Sequence, residues 1–248
     1  MAIPASSFIC VLWSALLSGI SPLVLGSEAT HPCQPRSLDF TQHADQWAHV
    51  PLSAFKHDTR YTLEQEGERK VLRAEADDSA SLYALKLKTP GADYSTLSWR
   101  WKTDALIPGA DNRDQKREDS PLRVMISFDG ERSSLPEAEQ FRSKMSQAIS
   151  GVEMPFATLM YIWSEQVAPE SIIASAHTSQ VKMLVVASGK HGLGAWQSVR
   201  RHIADDYRRA FGTEPGRIIG VSVMTDTDNT GKKALGWYAD LSLACGKK

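Results

Sequence analysis

Three cysteines in 248 residues exclude a disulfide-dense miniprotein and any fold built on cysteine-rich metal knots. The seven histidines are scattered. His43 and His49 are too far apart to share a helical face, and none has zinc-site companions. No Gly-x-Ser-x-Gly occurs, and Ser188-Gly189-Lys190-His191-Gly192 lacks the strand and helix of a nucleophile elbow. The spacing of Gly189, Gly192 and Gly194 does not match a dinucleotide fingerprint. A formal net charge of -1 with 23% charged residues leaves no basic excess, which argues against a nucleic-acid partner.

Charge is missing altogether from residues 1–26, which contain no Lys, Arg, Asp or Glu. An apolar run over 8–25, broken by Gly19 and Pro22, reads as a secretory signal of residues 1–26 with Val24-Leu25-Gly26 at its end. That run is short for a bilayer span, so no stable membrane span is expected once the signal is cleaved. The expected location is outside the cytoplasm, most simply a bacterial periplasm. Cleavage would remove Cys10 and leave Cys33 and Cys245, for which a single disulfide is expected in an oxidising compartment. Closing so long a loop is worth about 4 kcal/mol in the chain-entropy model.

Residues 27–248 read as one domain, with no Ser/Gly/Pro-rich linker and no repeat. Alternation of apolar and polar residues predicts strands near 61–65, 70–76, 81–87, 96–102, 123–128, 158–163, 183–187, 218–224 and 235–243. In 96–102, Leu97, Trp99 and Trp101 share one face, and Ser98, Arg100 and Lys102 the other. Helices are predicted over 134–149, from the capping-box pattern Ser134-Leu-Pro-Glu137, and over 195–211, where Val199, Ile203, Tyr207 and Phe211 recur at spacing four. Many short strands and few helices predict a mainly β fold, a jelly-roll-like antiparallel β-sandwich with two additional helices.

Several segments stand out together: Trp99-Arg100-Trp101, Glu118-Asp119 ahead of Arg123-Val124, Tyr161-Ile162-Trp163, Asp206-Tyr-Arg-Arg-Ala-Phe-Gly212 and Met224-Thr-Asp-Thr-Asp-Asn-Thr-Gly231. In order and spacing they resemble the uncharacterised bacterial domain-of-unknown-function family number 3047. The resemblance implies an exported or envelope-associated protein with a β-sandwich, and it carries no established catalytic residues.

The densest polar segment is 226–231, where Asp226, Asp228, Asn229 and Thr230 precede Gly231 between two strand-like runs. Asp226, Asp228 and Thr230 imitate the front half of a calcium loop, although the glutamate an EF-hand needs is replaced by Trp237. Calcium is therefore the one cofactor the segment suggests. The competing reading is an Asx-rich turn whose carboxylates accept local backbone N–H groups. Arg100, Asp119, Arg123, Tyr161, Asp226, Asp228, Asn229, Tyr238 and Asp240 are the candidate ligand contacts, with Arg100, Arg123, Tyr161 and Tyr238 expected on one face. Trp99, Trp101 and Trp237 are expected in the core. Non-catalytic binding of a glycan or other polar envelope component is the reading these residues support. The alternatives are a polysaccharide lyase or glycosidase using Asp226, Asp228, Arg123 and Tyr161, and a structural envelope protein.

Overall fold

The computed structural model describes residues 33–53, 55–91, 94–150 and 154–246. The expected signal segment and Cys10 lie outside them. The chain runs β1 (Arg36–Ser37), β2 (Trp47–Pro51), β3 (Arg60–Glu66), β4 (Arg69–Asp77), β5 (Ser81–Gly91), β6 (Tyr94–Lys102) and β7 (Ser120–Phe128). It continues through α1 (Glu137–Ser150), β8 (Ala157–Ser164), β9 (Ile172–Ala174), β10 (Val181–Ser188), β11 (Gln197–His202), α2 (Ile203–Phe211), β12 (Ile218–Asp226) and β13 (Lys233–Cys245).

The strands form two sheets. One is six-stranded, in the order β11-β6-β13-β4-β3 with β1 also paired to β13; the other is seven-stranded, in the order β2-β5-β12-β7-β8-β10-β9. Pairing is antiparallel except between β8 and β10. This is the mainly β, jelly-roll-like sandwich that the alternation predicts. Leu97, Trp99 and Trp101 of β6 meet Val124, Ile126 and Phe128 of β7 and Tyr161 and Trp163 of β8 in a core between the sheets. Burying each such side chain is worth about 1.5–3 kcal/mol, which is what holds the two layers together. A second apolar cluster lies on the opposite face of the seven-stranded sheet, where Met125, Met160, Met183 and Met224 come together from four strands with Ile162 and Val185.

Two helix expectations change. The first helix starts at Glu137 rather than at Ser134, which belongs to a short 3-10 turn at Arg132–Ser134 that is capped by Glu131. The second is halved: Gln197–His202 is an edge strand, and only Ile203–Phe211 is helical. Val199 pairs with Trp99 across β11 and β6, so a half-buried sheet edge outweighs the four-residue apolar spacing. Gly212 ends α2 at φ 75, its N–H donating to the carbonyl of Arg208, the left-handed cap that glycine favours.

A charged latch fastens α2 to both sheets. Arg201 of β11 donates to Asp206 at 2.8 and 2.7 Å and to Glu170 at 2.6 and 3.1 Å. Arg209 reaches Glu170 at 2.7 Å, and the Tyr161 hydroxyl of β8 donates to Asp206 at 3.1 Å. Hydrogen bonds from Arg201, joined by Arg209, hold the Glu170 carboxyl down at about 2 despite partial burial. A carboxylate depressed on folding contributes stability above its ordinary value of 4.5 and loses it as pH falls towards 2. The melting temperature is therefore expected to fall between pH 4.5 and 2. Glu170→Gln should flatten that part of the profile, and a profile unchanged by the substitution would place the acid sensitivity elsewhere.

Candidate functional site

The strand order brings β6, β13 and β4 side by side, and their core-facing residues leave Arg100, Lys102, Trp237, Ala239, Val71 and Arg73 on the other side of the six-stranded sheet. Val71 and Ala239 pack with Trp237, Trp196 and Leu235 into a small apolar floor. At one end of this floor is a cleft of about 450 Å³, lined by Val71, Ala239, Arg69, Arg100 and Asp240, by Gln65, Glu68 and Lys70 from the end of the β3–β4 hairpin, and by Asp39, Thr41 and Gln42. An apolar base rimmed by a few convergent polar groups, at that volume, is the usual form of a small-ligand site.

Asp240 is the focus of the cleft. It sits at φ 52, a left-handed conformation rarely adopted by non-glycine residues. The cause is a bulge: Ala239 pairs with Arg100, but Ser98 pairs with Ser242, so β13 carries one extra residue. Tyr238 and Leu241 both reach the core, and the extra residue turns the Asp240 carboxylate outward, as bulges beside binding sites do. Arg100 Nε donates to Asp240 Oδ2 at 2.6 Å, and Arg69 Nη1 approaches the same oxygen at 3.3 Å. Asp39 on the far wall is committed to its own turn, accepting from Thr41 N and Gln42 N at 2.8 Å each and from Thr41 Oγ1 at 2.5 Å. Burial raises its carboxyl, but these bonds win and hold it below its usual value.

Arg100 and Asp240 are thus brought together, but the expected single face does not form. Val124 and Tyr161 are register partners, so Tyr161 points with Val124 into the core while Arg123 points the opposite way. Arg100 belongs to the other sheet. Tyr161 and Tyr238 are fully buried, and burial raises both phenols. Tyr238 Oη donates to the carbonyl of Met224 at 2.6 Å and lies 3.0 Å from Thr225 Oγ1. Trp237 is buried as expected, but in the small apolar cluster on the outer side of its sheet rather than between the two sheets, with Lys102 Nζ 4.7 Å from its ring centroid.

The Asp-rich segment is a sealed network. Asp226 ends β12, and its two oxygens receive Arg123 Nε at 2.7 Å and Nη2 at 2.9 Å, with Ser120 N at 3.1 Å. Burial pushes the Asp226 carboxyl up to about 7, with Asp119 adding to the rise and Arg123 opposing it. Asp119 clamps the turn beyond, accepting from Asn229 N and Nδ2 at 3.1 and 3.0 Å and from Thr230 N and Oγ1 at 2.7 and 2.5 Å. Asp228 pairs with Lys56. Carboxylate oxygens of Asp119, Asp226 and Asp228 do come within 4.8 Å of one another. Both oxygens of Asp119 are filled by N–H and O–H donors, and Asp226 and Asp228 each face a cation, Arg123 and Lys56, whereas calcium takes six to eight open oxygen ligands. So few open oxygens do not fit calcium, and the Thr230 hydroxyl donates to Asp119. The turn is instead held by carboxylate caps, with Asp119 arriving from a distant segment.

Of the residues that line the cleft, the sequence points only to Arg100 and Asp240; Asp39, Thr41, Gln42, Gln65, Glu68, Arg69, Lys70, Val71 and Ala239 are added by the structure. One signal for its geometry was present: Tyr238, Leu241 and Leu243 are apolar at spacings of three and then two, which marks a bulge at Asp240.

The model of the family described as "Protein of unknown function (DUF3047)" matches residues 45–242. The chain belongs to this family. Both the cleft's Arg100 and Asp240 and the sealed Asp226 network fall inside the DUF3047 match. No curated protein matches the chain. Among solved structures, it is similar to a family 11 carbohydrate-binding module of a cellulosomal cellulase of Clostridium thermocellum, at 10% identity and TM-score 0.45 over 87% of this chain and 96% of that one. It is also similar to the xyloglucanase domain of a type three effector from Sinorhizobium fredii in complex with cellobiose, at 10% identity and TM-score 0.41 over 82% and 95%. A third is a Caldicellulosiruptor saccharolyticus carbohydrate-binding module in complex with mannohexaose, at 10% identity and TM-score 0.36 over 87% and 100%.

Proposed function

We propose that this DUF3047 protein is an exported, periplasmic binder of glycans, which it holds without catalysis in the cleft around Asp240. The observation that carries the reading is the strained, outward-turned Asp240, gripped by Arg100 and Arg69 above the Val71 and Ala239 floor. Backbone strain costs stability and persists where the surrounding structure holds it, often at ligand sites. A sugar ring suits such a floor: its C–H face covers the apolar base while its hydroxyls exchange hydrogen bonds with the carboxylate and guanidinium groups. The Cys33–Cys245 disulfide supports an oxidising compartment.

The test is a glycan and cell-wall polysaccharide array with the chain from Ser27, run beside Asp240→Gly and Asp228→Ala. Glycine adopts φ 52 without strain, so Asp240→Gly should melt no lower than the parent while its affinity falls roughly tenfold, the effect of losing one charge-assisted hydrogen bond. Asp228→Ala should bind normally. Retention of full binding by Asp240→Gly would remove the cleft from consideration, and loss in Asp228→Ala would return the site to the turn.

A further inference from the structure

Helix α1 is packed inside out. Its polar side faces the protein: Glu139 is 4% exposed and Ser143 5%, whereas Phe141 is 65% exposed and Met145 42%. The inward groups are hydrogen-bonded. Glu139 accepts from Thr178 Oγ1 at 3.0 Å and from Ser179 N at 3.1 Å, and Ser143 Oγ accepts from Arg132 Nη1 at 3.2 Å. Arg142 donates to the carbonyl of His177 at 3.3 Å. A helix on a globular protein normally turns its apolar stripe to the core. Here bonds to the turn between β9 and β10 hold the polar side down and leave the apolar side uncovered.

The uncovered side has a definite spacing. Ala138, Phe141, Met145 and Ala148 are all exposed and stand three, four and three residues apart, which is the a/d seam of a coiled coil. In the same heptad Glu137 and Lys144 are both g positions, on one flank of the seam. Both are exposed, and neither has an ion-pair partner among the described residues. The other flank carries Arg142, already paired with Glu139 at 2.9 Å. The charges along the seam therefore nearly cancel, and nothing draws it to an anionic lipid surface, which selects helices with a basic rim. A flank with one free acid and one free base is instead complementary to itself. When two copies of a helix pack antiparallel about a two-fold axis, g positions meet g positions, so unlike charges face each other twice.

We infer that α1 is a self-association surface, on which the seams of two copies of this chain pack antiparallel with Glu137 of each beside Lys144 of the other. That register also sets the large Phe141 of each copy against the small Ala138 of the other. A contact of one helix per copy falls short of the roughly 1,200–2,000 Å² buried by stable complexes, so the dimer forms and dissociates with concentration. The helix is bonded to a turn of the seven-stranded sheet, whereas the cleft lies on the outer side of the six-stranded one, so pairing leaves both clefts open. Two open clefts in one particle would hold a polymeric ligand by avidity. The dimer itself does not depend on what the cleft binds.

The experiment is sedimentation equilibrium of the chain from Ser27 over about 1 μM to 1 mM, in which the mass should rise from one chain towards two. Phe141→Asp with Met145→Asp should stay a single chain at every concentration and melt with the parent, since both side chains are exposed. Lys144→Glu places acid beside acid at both symmetry-related contacts and should weaken dimerisation about tenfold at low salt. Glu137→Lys combined with Lys144→Glu should restore it. A single chain at every concentration, a dimer that survives the double aspartate variant, or a charge swap that fails to rescue Lys144→Glu would overturn the inference. Binding to phosphatidylglycerol vesicles that is lost in the double aspartate variant would also overturn it, by making lipid the occupant of the seam.

Discussion

Arg123→Ala should lower the melting temperature by roughly 10 °C or more, because it strips the counter-charge from a buried carboxylate. Arg123 is 1% exposed and Asp226 2% exposed, and the two are joined side by side at 2.7 and 2.9 Å. The guanidinium also donates to the carbonyl of Glu118 and lies 3.0 Å from Met160 Sδ and 3.7 Å from Met183 Sδ. Removing one partner of such a pair costs about 3–5 kcal/mol, since the other charge is left in an apolar surrounding. At about 2–4 °C per kcal/mol for a domain of this size, that gives the expected shift. Replacing both partners by apolar residues, Arg123→Met with Asp226→Leu, should recover much of the loss, because neither charge then has to be desolvated. A single variant that melts with the parent would show that water reaches this pair.

The same pair sets a pH dependence opposite in sign to that of Glu170. A carboxyl raised on folding contributes stability while protonated and loses it as pH climbs through its folded value. For Asp226 that window runs from its ordinary 3.8 up to about 7. Asp226→Asn should flatten the melting profile there while leaving the acid limb below pH 4.5 intact. Melting curves of the two variants, Asp226→Asn and Glu170→Gln, therefore separate the buried pair from the α2 latch.

Legibility in the sequence followed the physics of each element. Strands with one face buried and one wet wrote their pattern openly, as in β6 and β7, where Leu97, Trp99, Trp101 and Val124, Ile126, Phe128 all reach the core. β11 did not, because Val199, Ile203 and Tyr207 fall at helical spacing across a strand that ends where a helix begins. Trp237 is buried as its pattern predicts, but in the outer cluster, because β13 alternates out of step around Asp240. The pairing of Arg123 with Asp226 was hidden for a different reason: 103 residues separate them, and only the β7–β12 ladder sets them side by side. Arg100 and Asp240 stood out as charges beside apolar strand positions. Their companions Arg69, Gln65 and Gln42 did not, since a hairpin end and a turn far apart in sequence have to meet before a cleft exists.

Replacing both cysteines, Cys33→Ser with Cys245→Ser, should destabilise the protein by about 4 kcal/mol in the chain-entropy model and lower its melting temperature by roughly 10 °C. The bond spans a sequence separation of 212, so its loss frees nearly the whole described chain in the unfolded state. In the folded state the bond lies beside a short ladder, Arg36 opposite Leu243 and Ser37 opposite Ser242, continued by Leu38 N donating to Leu241 O at 2.8 Å. Leu38 and Phe40 are buried just beyond, and they anchor the turn that carries Thr41 and Gln42 to the cleft wall. The disulfide therefore bears on the site as well as on the fold. The reduced protein should bind its ligand more weakly than the oxidised protein at a temperature where both are folded, because the two-residue β1 is left to hold that wall. Equal affinity in the two states, measured by calorimetry with and without reductant, would show that Leu38 and Phe40 position the wall without help from the bond.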